Sequence, residues 1–374
     1  MKNTINRIGG FIKAQPVLVI SFAAAFITMF IIPPDSSYPG YINRAVLIEL
    51  FALMIAVAGF RSIGVFDKAT GYILKKTGTV RKLGMVMVLI CFFSSMLVTN
   101  DVALLTFVPL TLLIYRSIPD EKSRILTIVL ETVAANMGSM LTPVGNPQNL
   151  YLYDEFGLSA MTFVKTMLPA GFVGLICIML MTFLLPATEC EAPEKSADSV
   201  SSAKAAAYGV MFVLCLLTVF RILPDYICLL AAVLTAVIFD RKLLLKADYA
   251  LLATFICFFV FVGNIARIDS VNDFFSHAVD GRELLIGVGL SQIISNVPAA
   301  VMLAGFTDNG TKLLLGVDIG GLGTLIASLA SLISFQFYRK AEKAQTGRYI
   351  LVFTAVNIVI LAVLIVLELI LGNI

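Results

Sequence analysis

The chain has 374 residues, of which 59% are hydrophobic and 14% are charged. Ordinary soluble domains have roughly 45–50% and about 25% of these classes, so this composition excludes a protein whose whole surface faces water. The net charge of +3 is too small to indicate a nucleic-acid partner, and none is expected. Six cysteines without CxxC spacing are expected to be small core residues rather than a metal or redox site.

Apolar stretches that approach or exceed the roughly 20 residues needed to cross a bilayer as a helix occur along the whole chain. The first follows three basic residues, but it is too long for a signal peptide and lacks a cleavage motif, so we predict a retained helix. In chain order, the predicted crossings are residues 15–33, 42–60, 123–152, 163–185, 205–223, 225–240, 248–266, 313–338 and 347–372. These crossings predict an all-α polytopic membrane protein.

The crossings form two sets of four. One set lies in residues 1–186 and the other in residues 224–374. A polar linker at 187–204 and one unpaired helix at 205–223 separate them. An unpaired crossing between two similar units places the second unit upside down in the membrane. The sequence therefore predicts two inverted repeats and about nine crossings.

Basic residues test this topology, because Lys and Arg concentrate in short cytoplasmic loops. With the N-terminus in the cytoplasm, 21 of the 27 Lys and Arg residues fall in predicted inner segments. This division predicts a plasma (inner) membrane protein with a cytoplasmic N-terminus and an outer C-terminus. Residues 61–79 mix basic and apolar side chains with three glycines, which favours an amphipathic helix on the membrane surface.

Two further apolar segments, 83–115 and 283–306, are interrupted by polar residues near their centres. A polar side chain exposed to lipid is costly unless it is hydrogen-bonded, so each break fits best at the tip of a re-entrant hairpin inside the protein. The alternative is a turn joining two short spanning helices. The first break contains Thr99, Asn100 and Asp101, and the second contains Ser295, Asn296, Val297 and Pro298.

The two hairpins align without gaps, which argues against coincidental turns. Ser95 lies over Ser291, and Asn100 lies over Asn296.

Each hairpin is followed by a second interrupted stretch that is rich in Gly, small hydroxyls and amides. Residues 136–149 align with residues 318–331. Such runs unwind a spanning helix and free its carbonyl groups, so we predict broken helices at 123–152 and 313–338. A surface loop for the first and small-residue helix packing for the second are the alternatives. The matched pairs include Gly138 with Gly320, Thr142 with Thr324, and Asn146 with Ser328.

The helix ends created by these breaks predict the binding chemistry. Helix N-termini that begin near Asp101 and Val297 attract anions. Carbonyl groups at the ends of the first arms, at Val98 and Ile294, combine with tip oxygens into an all-oxygen shell for a hard cation. We therefore expect an anion site and two cation sites, although the four motifs contain no Lys or Arg.

The two tips, the loop GSMLTPVGNPQN and the stretch GVDIGGLGTLIASLAS resemble those of the ion transporter superfamily, specifically its arsenite-pump and citrate-transporter-like branches. The resemblance covers nearly the whole chain. It implies an elevator-type carrier in the lipid bilayer, in which a domain holding both hairpins and both broken helices slides against a scaffold. Such carriers are usually homodimers.

The resemblance also implies where substrate and coupling ion bind. The expected substrate-binding residues are Thr99, Asn100, Ser295, Asn296, Thr142, Asn146, Thr324 and Ser328. The expected coupling-ion residues are Ser95, Asn100, Asp101, Gly138, Ser291, Asn296, Asp318 and Gly320, with sodium as the candidate metal at Asn100 and Asn296.

Asp101 departs from one branch of that superfamily, the divalent-anion/sodium symporters, whose tips both carry Ser-Asn-Thr. Its carboxylate would repel a dicarboxylate unless it were protonated or cation-bound. Asn-Asp at this position looks more like the arsenite pumps. This favours proton coupling through Asp101, or a neutral or weakly charged oxyacid substrate.

Several other titratable residues stand out. Glu131 lies seven residues after Arg124, about 10 Å along a helix, and is therefore expected inside the hydrocarbon region. A transport role and a structural hydrogen bond are both open for it. We expect Glu49 and Glu368 to be packing or interfacial groups, and His277 to be a solvated surface histidine.

The leading functional prediction is an ion-coupled secondary transporter of a small anion or oxyanion, such as a di- or tricarboxylate or arsenite, driven by sodium or protons. The alternatives are a sodium/proton antiporter that uses Asp101 and Asp318, and a passive channel. The sequence contains no HExxH or GxSxG motif, and no His beside a Ser or Cys nucleophile, so no enzyme is expected. No cofactor is expected beyond the coupling ion.

Overall fold

The computed structural model describes residues 15–64, 78–116, 118, 120–190 and 201–374, and in these ranges the chain is almost entirely helical. The helices before the linker are α1 (Pro16–Ile31), α2 (Tyr38–Tyr41), α3 (Arg44–Ser62), α4 (Val80–Val98), α5 (Asn100–Ile114), α6 (Glu121–Ser139), α7 (Pro147–Glu155) and α8 (Ala160–Thr182). The helices after it are α9 (Ser202–Val219), α10 (Asp225–Phe239), a 3-10 helix (Arg241–Lys246), α11 (Tyr249–Ile265), α12 (Asp269–Val279), α13 (Glu283–Ile294), α14 (Asn296–Ala304), α15 (Gly310–Ile319), α16 (Leu329–Arg339) and α17 (Thr346–Ile370). The predicted surface helix at 61–79 lies largely outside the described residues.

Among the described residues, five helices are long and apolar enough to cross a membrane: α3, α4, α8, α9 and α17. Helices α5, α10, α11 and α13, and α1 from Val17 onwards, are shorter but also apolar. Large apolar side chains point outward from them; Phe30 is 75% exposed and Ile370 is 76% exposed. Because such faces need lipid, the chain is an integral membrane protein. The number of crossings remains a prediction.

Both interrupted apolar segments break where the sequence predicted. Helix α4 ends at Val98 and α5 begins at Asn100, while α13 ends at Ile294 and α14 begins at Asn296. The arms α13 and α14 have 12 and 9 residues, which suits half the depth of a bilayer. Helix α4 is longer than a half-depth arm requires, because its 19 residues could cross a membrane.

The two predicted broken helices are interrupted as well. Helix α6 ends at Ser139 and α7 begins at Pro147, and α15 ends at Ile319 before α16 begins at Leu329. Asn146 starts α7 as its N-cap, since its Oδ1 accepts from the Asn149 backbone N–H at 2.8 Å. Proline suits the first position of α7, because the backbone N–H that it lacks would have no partner within the helix there.

The helices pack in two groups. In one group α3 lies against α9 and α10, and α1 lies along α11. In the other, α4 packs on α6 and, in the matching way, α13 packs on α15. The second arm of each hairpin packs against a broken helix of the other half of the chain. Helix α5 packs on α16, and α14 packs on α7. This exchange brings each hairpin tip close to the broken helix of the opposite half.

Two glycines permit the closest approaches in the hairpin group. A Cβ at Gly138 would overlap the Phe92 carbonyl oxygen and the Ser95 hydroxyl. A Cβ at Gly320 would lie 2.8 Å from the Ser291 hydroxyl. Only glycine therefore fits at either position without a shift of the opposing helix.

Polar contacts fasten the helix ends at the surface. The Arg267 guanidinium lies 2.8 Å from the Asp35 carboxylate, and its hydrogen bond holds the pKa of Asp35 below the usual value. This pair joins the loop after α1 to the end of α11. His277 is exposed, with Nδ1 2.7 Å from the Asp273 carbonyl oxygen, which confirms the prediction of a surface histidine.

Candidate functional site

The two hairpin tips share an unusual backbone conformation. Thr99 has φ 71° and ψ 151°, and Ser295 has φ 76° and ψ 154°. This region is almost restricted to glycine, and a residue with a side chain pays roughly 1–3 kcal/mol to occupy it. Strain of this kind persists only where the surroundings impose it. Its presence at both tips indicates that the surrounding structure imposes the same geometry on each of them.

Matched hydrogen bonds hold each tip in this conformation. The Asn100 backbone N–H donates to the Gly145 carbonyl oxygen at 3.1 Å, and the Asn296 N–H donates to the Ala327 carbonyl oxygen at 2.9 Å. Each Asn side chain also accepts the next backbone N–H, at 2.9 Å for Asn100 and 3.0 Å for Asn296. Both tips are therefore tied to the unwound part of the broken helix in their own half.

The predicted threonines contribute to this attachment. The Thr142 hydroxyl donates to the Met96 carbonyl oxygen at 2.5 Å, and the Thr324 hydroxyl donates to the Gln292 carbonyl oxygen at 3.2 Å. Gln292 in turn donates to two carbonyl groups of the unwound segment, those of residues 320 and 322. Thr142 and Thr324 thus connect a hairpin arm to a broken helix, and their hydroxyl hydrogens are already used.

At the centre, the broken helices of the two halves meet through a carboxylate. Asp318 Oδ1 accepts from Asn146 Nδ2 at 3.1 Å and from Gln148 Nε2 at 2.9 Å. Asp318 Oδ2 is buried and has no hydrogen-bond partner among the described residues. A buried, half-satisfied carboxylate is costly unless it binds a proton or a cation. The Asp318 carboxyl group thus has one oxygen open to a proton or a cation.

Asn136 occupies the position in the first half that Asp318 has in the second. Its Oδ1 accepts from Asn100 Nδ2 at 3.0 Å and from the Ser328 hydroxyl at 3.1 Å. The two halves thus form equivalent hydrogen bonds across the centre: Asn136 bonds to Ser328, and Asp318 bonds to Asn146. The same framework thus carries an amide on one side and a carboxylate on the other.

Two predicted coupling-ion residues, Ser95 and Ser291, are fully buried but engaged within their own helices. The Ser95 hydroxyl donates to the Phe92 carbonyl oxygen at 2.8 Å, and the Ser291 hydroxyl donates to the Gly287 carbonyl oxygen at 2.7 Å. Each lies against the glycine predicted to share its site. The role of these pairs as ligands of an ion remains a prediction.

A cavity of about 600 Å³, which we call the central cavity, reaches the first tip. Of the predicted site residues, Thr99, Asp101 and Asn146 line it. Asn100 and Asn296 are only 5% and 4% exposed. Asn146 therefore both faces the cavity and bonds to Asp318, which makes it the link between the cavity and the central carboxylate. Apolar residues of α3 form the opposite wall: Leu50, Leu53, Met54, Val57 and Ala58.

Three charged residues of the cavity wall were not predicted as site residues. Arg61, at the end of α3, lines the cavity and donates to the Leu105 carbonyl oxygen of α5 at 3.0 Å. Lys246 and Asp248, which flank Ala247 between the 3-10 helix and α11, line it as well. With Asp101, the cavity contains two cationic and two carboxylate side chains. The sequence indicated charged loops, but only the packing of α3 and α11 brings these groups to the tip.

Glu131 is fully buried, as its position in the sequence suggested. The Thr111 hydroxyl of α5 donates to Oε1, and Oε2 has no partner among the described residues. The residue thus joins α6 to the second arm of the first hairpin.

The strain at the tips gives a first testable expectation. Thr99→Gly and Ser295→Gly should each stabilise the protein by about 1 kcal/mol, because the strain removed exceeds the entropy that glycine adds to the unfolded chain. Thermal unfolding in detergent measures this. Thr106→Gly, within α5, is the matched control and should destabilise. Lower midpoints for both tip variants would contradict the assigned strain.

Comparison with known proteins extends these observations. A family model described as citrate transporter matches residues 10–309, which include both tips and the first broken helix. The chain is 33% identical over 353 residues to an uncharacterized transporter of Methanocaldococcus jannaschii, covering 93% of this chain and 96% of that protein. It is 30% identical over 332 residues to the inner membrane protein YbiR of Escherichia coli, covering 86% of each. A silicon efflux transporter of Oryza sativa subsp. japonica is 29% identical over 184 residues, which cover 49% of this chain and 37% of that protein.

Proposed function

Because the chain belongs to the citrate transporter family, we propose that it is an ion-coupled secondary active transporter of a small anion or oxyacid. The observation that carries this proposal is the junction at Asn146. There, a cavity of about 600 Å³ reaches the strained tip at Thr99 and also Asn146, whose amide donates to the half-satisfied carboxylate of Asp318. That volume lies within the range of about 300–1,000 Å³ that is usual for small-molecule sites.

The charges of the central cavity favour a substrate of low charge. Arg61 and Lys246 attract an anion, and the positive dipole end of α5 lies at the same tip. Asp101 and Asp248 oppose a multiply charged anion, and Asp101 already occupies the first turn of α5. A weak acid or a singly charged oxyanion suits this balance. The silicon efflux function of the rice relative agrees with an oxyacid substrate.

The coupling ion is proposed to be a proton or sodium bound at Asp101 and Asp318. Both carboxylates lie in the hairpin group of helices, α4–α7 and α13–α16. By the resemblance described above, this group would move as an elevator against α1, α3 and α9–α11, within a homodimer. We place the protein in the inner membrane, as the name of its relative YbiR indicates, with the N-terminus in the cytoplasm.

Purified protein in liposomes tests this function. Citrate, succinate, sulfate, arsenite and silicic acid are offered in turn, with sodium and proton gradients imposed separately. We expect one of these compounds to be moved against its own gradient when one of the two ion gradients is present. Flux that ignores both gradients would instead support a passive channel.

Asp101→Asn separates the carrier from the second candidate, a sodium/proton antiporter on the same fold. Two buried or half-buried carboxylates beside the site, Asp101 and Asp318, are the observation that favours an antiporter. We expect the variant to keep part of its substrate flux with an altered pH dependence, because the amide retains the shape of the tip. Complete loss of sodium/proton exchange, with no substrate flux in the wild type, would indicate the antiporter. Asp248→Asn is the matched control, since it lines the same cavity but lies outside the hairpins.

A further inference from the structure

A second open space, distinct from the central cavity, lies where α3, α7, α9 and α10 meet. It has a volume of about 530 Å³, and three carboxylates line it: Glu49, Asp154 and Asp225. The rest of the wall consists of Ala45, Thr218, Arg221, Ile222, Leu223 and Pro224. We call this space the acidic groove. The sequence interpretation gave Glu49 a packing or interfacial role and did not predict that it faces such a space.

Glu49 is the unusual member of this group. It lies within the apolar helix α3 and is only 5% exposed, yet it lines the groove. Among the described residues, no hydrogen bond or ion pair is formed by its carboxylate. A buried carboxylate without a partner is costly in its charged form. It therefore needs a ligand that the groove can deliver.

The other charged side chains that line the groove form their contacts with groups other than Glu49. On α7, Asp154 accepts from Asn43 at 2.8 Å. After α9, Arg221 donates to the carbonyl oxygens of Tyr153 at 2.6 Å and residue 158 at 3.2 Å, and its Nε lies 4.0 Å from Asp154. Asp225 begins α10 and lies 3.8 Å from Arg44, whose side chain is 83% exposed. No cation within the groove is thus paired with Glu49.

The backbone of Arg221 indicates that this wall has a defined geometry. Its φ is 60°, in the left-handed region that usually takes glycine after a helix end. An arginine there costs about 1 kcal/mol relative to glycine. Its three contacts to α7 and the following turn offset that strain and fix the position of the guanidinium.

The ligand that fits Glu49 is a proton. Among the described residues, no group of three or more His, Cys, Asp and Glu side chains is arranged to hold a metal ion. Hard cations take several oxygen ligands at once, whereas a proton needs a single carboxyl group.

The groove and the central cavity lie at different points along the same two helices, α3 and α7. Glu49 lines the groove, and the next residue, Leu50, lines the central cavity. Helix α7 and its N-cap also contribute to both spaces. Asn146 and Leu150 line the central cavity, and Asp154 lines the groove. The packed helices α3 and α7 therefore separate the two spaces.

We propose that Glu49 is a proton-binding carboxyl that exchanges protons with water through the acidic groove, at the end of α3 opposite to Arg61. Its part in transport rests on the function proposed above. Proton binding itself does not, and the two are tested separately.

Labelling with a hydrophobic carbodiimide tests proton binding directly, because this reagent attacks protonated carboxyl groups. The wild-type protein is labelled in liposomes at a series of pH values, and modified peptides are quantified by mass spectrometry. We expect labelling at Glu49 that falls by about tenfold or more between about pH 6 and about pH 9. Glu131 is the internal control; it is fully buried, lines neither space, and should stay unlabelled at every pH. No labelling of Glu49, or labelling that does not change with pH, would overturn the proposal.

Glu49→Gln tests the link to transport. We expect the variant to respond at least about tenfold less to an imposed proton gradient, while flux down the substrate's own gradient continues. An unchanged response to the proton gradient would overturn the transport role. If no compound is transported by the wild type, the proposed function fails, but the labelling result still decides whether Glu49 binds a proton.

Discussion

Asp318→Asn should reduce ion-driven transport by about 100-fold or more. In the variant, the amide oxygen can still accept from Asn146 and Gln148, which donate to Oδ1 at 3.1 and 2.9 Å in the wild type. What disappears is the buried Oδ2, which has no hydrogen-bond partner in the described part of the chain and is available to a proton or cation. A charge-assisted contact of about 2–3 kcal/mol corresponds to a factor of roughly 30–160 in binding. Transport that depends on the bound ion should fall at least as far.

The folded state should tolerate this change. Replacing a half-satisfied buried carboxylate by a neutral group of the same shape is often neutral or stabilising, so we expect a stability within about 1 kcal/mol of wild type or above it. Asp269→Asn, an exposed carboxylate in the first turn of α12, is the matched control and should leave transport unchanged. Wild-type coupling in Asp318→Asn, measured in the same liposomes, would remove Asp318 from the ion site.

The helix breaks could be predicted from the sequence because their signal is local. A polar pair inside an apolar run requires an interruption at that point, and α4 and α13 indeed end one residue before Thr99 and Ser295. The sequence also put Ser95 and Gly138, and Ser291 and Gly320, among the coupling-ion residues, and in the structure each serine lies against its glycine. These contacts depend on residue size and on the order of elements, and both can be read from a sequence.

Contacts between the halves could not be predicted in the same way. Asn146 and Asp318 are 172 residues apart, and nothing local in either stretch requires their hydrogen bond. The charged wall formed by Arg61, Lys246 and Asp248 depends on how α3 and α11 pack beside the first tip. The burial of a carboxylate, which decides its role, is likewise not local. The burial of Glu49 depends on the packing of α7, α9 and α10 around α3.

Backbone strain escaped the sequence analysis for a different reason. A conformation with positive φ is usually signalled by glycine, but both tips carry a hydroxyl residue there instead. The protein therefore accepts a conformational cost at Thr99 and again at Ser295. This cost is visible only once the dihedral angles are known.

Asn100→Ala and Asn296→Ala should each reduce transport by about 100-fold or more, but only the first should strongly destabilise the protein. Asn100 accepts the Asp101 backbone N–H and donates to Asn136 at 3.0 Å, so alanine removes one hydrogen bond within α5 and another that joins α5 to α6. We expect a cost of about 2–3 kcal/mol. For Asn296, the described cross-element hydrogen bond is made by its backbone N–H, which alanine retains.

The matched control for both variants is Asn357→Ala. Asn357 is fully buried in α17 and donates to the Phe353 carbonyl oxygen at 2.8 Å, so it resembles the tip asparagines in burial but lies at neither tip. Its loss should change thermal stability while ion-driven flux per folded protein stays near wild type. If Asn100→Ala and Asn296→Ala behaved like this control, the tips would be structural turns and the transport site would lie elsewhere. Loss of flux in both tip variants, with stability lost in only one, would show that the two asparagines act on the substrate or ion rather than on folding.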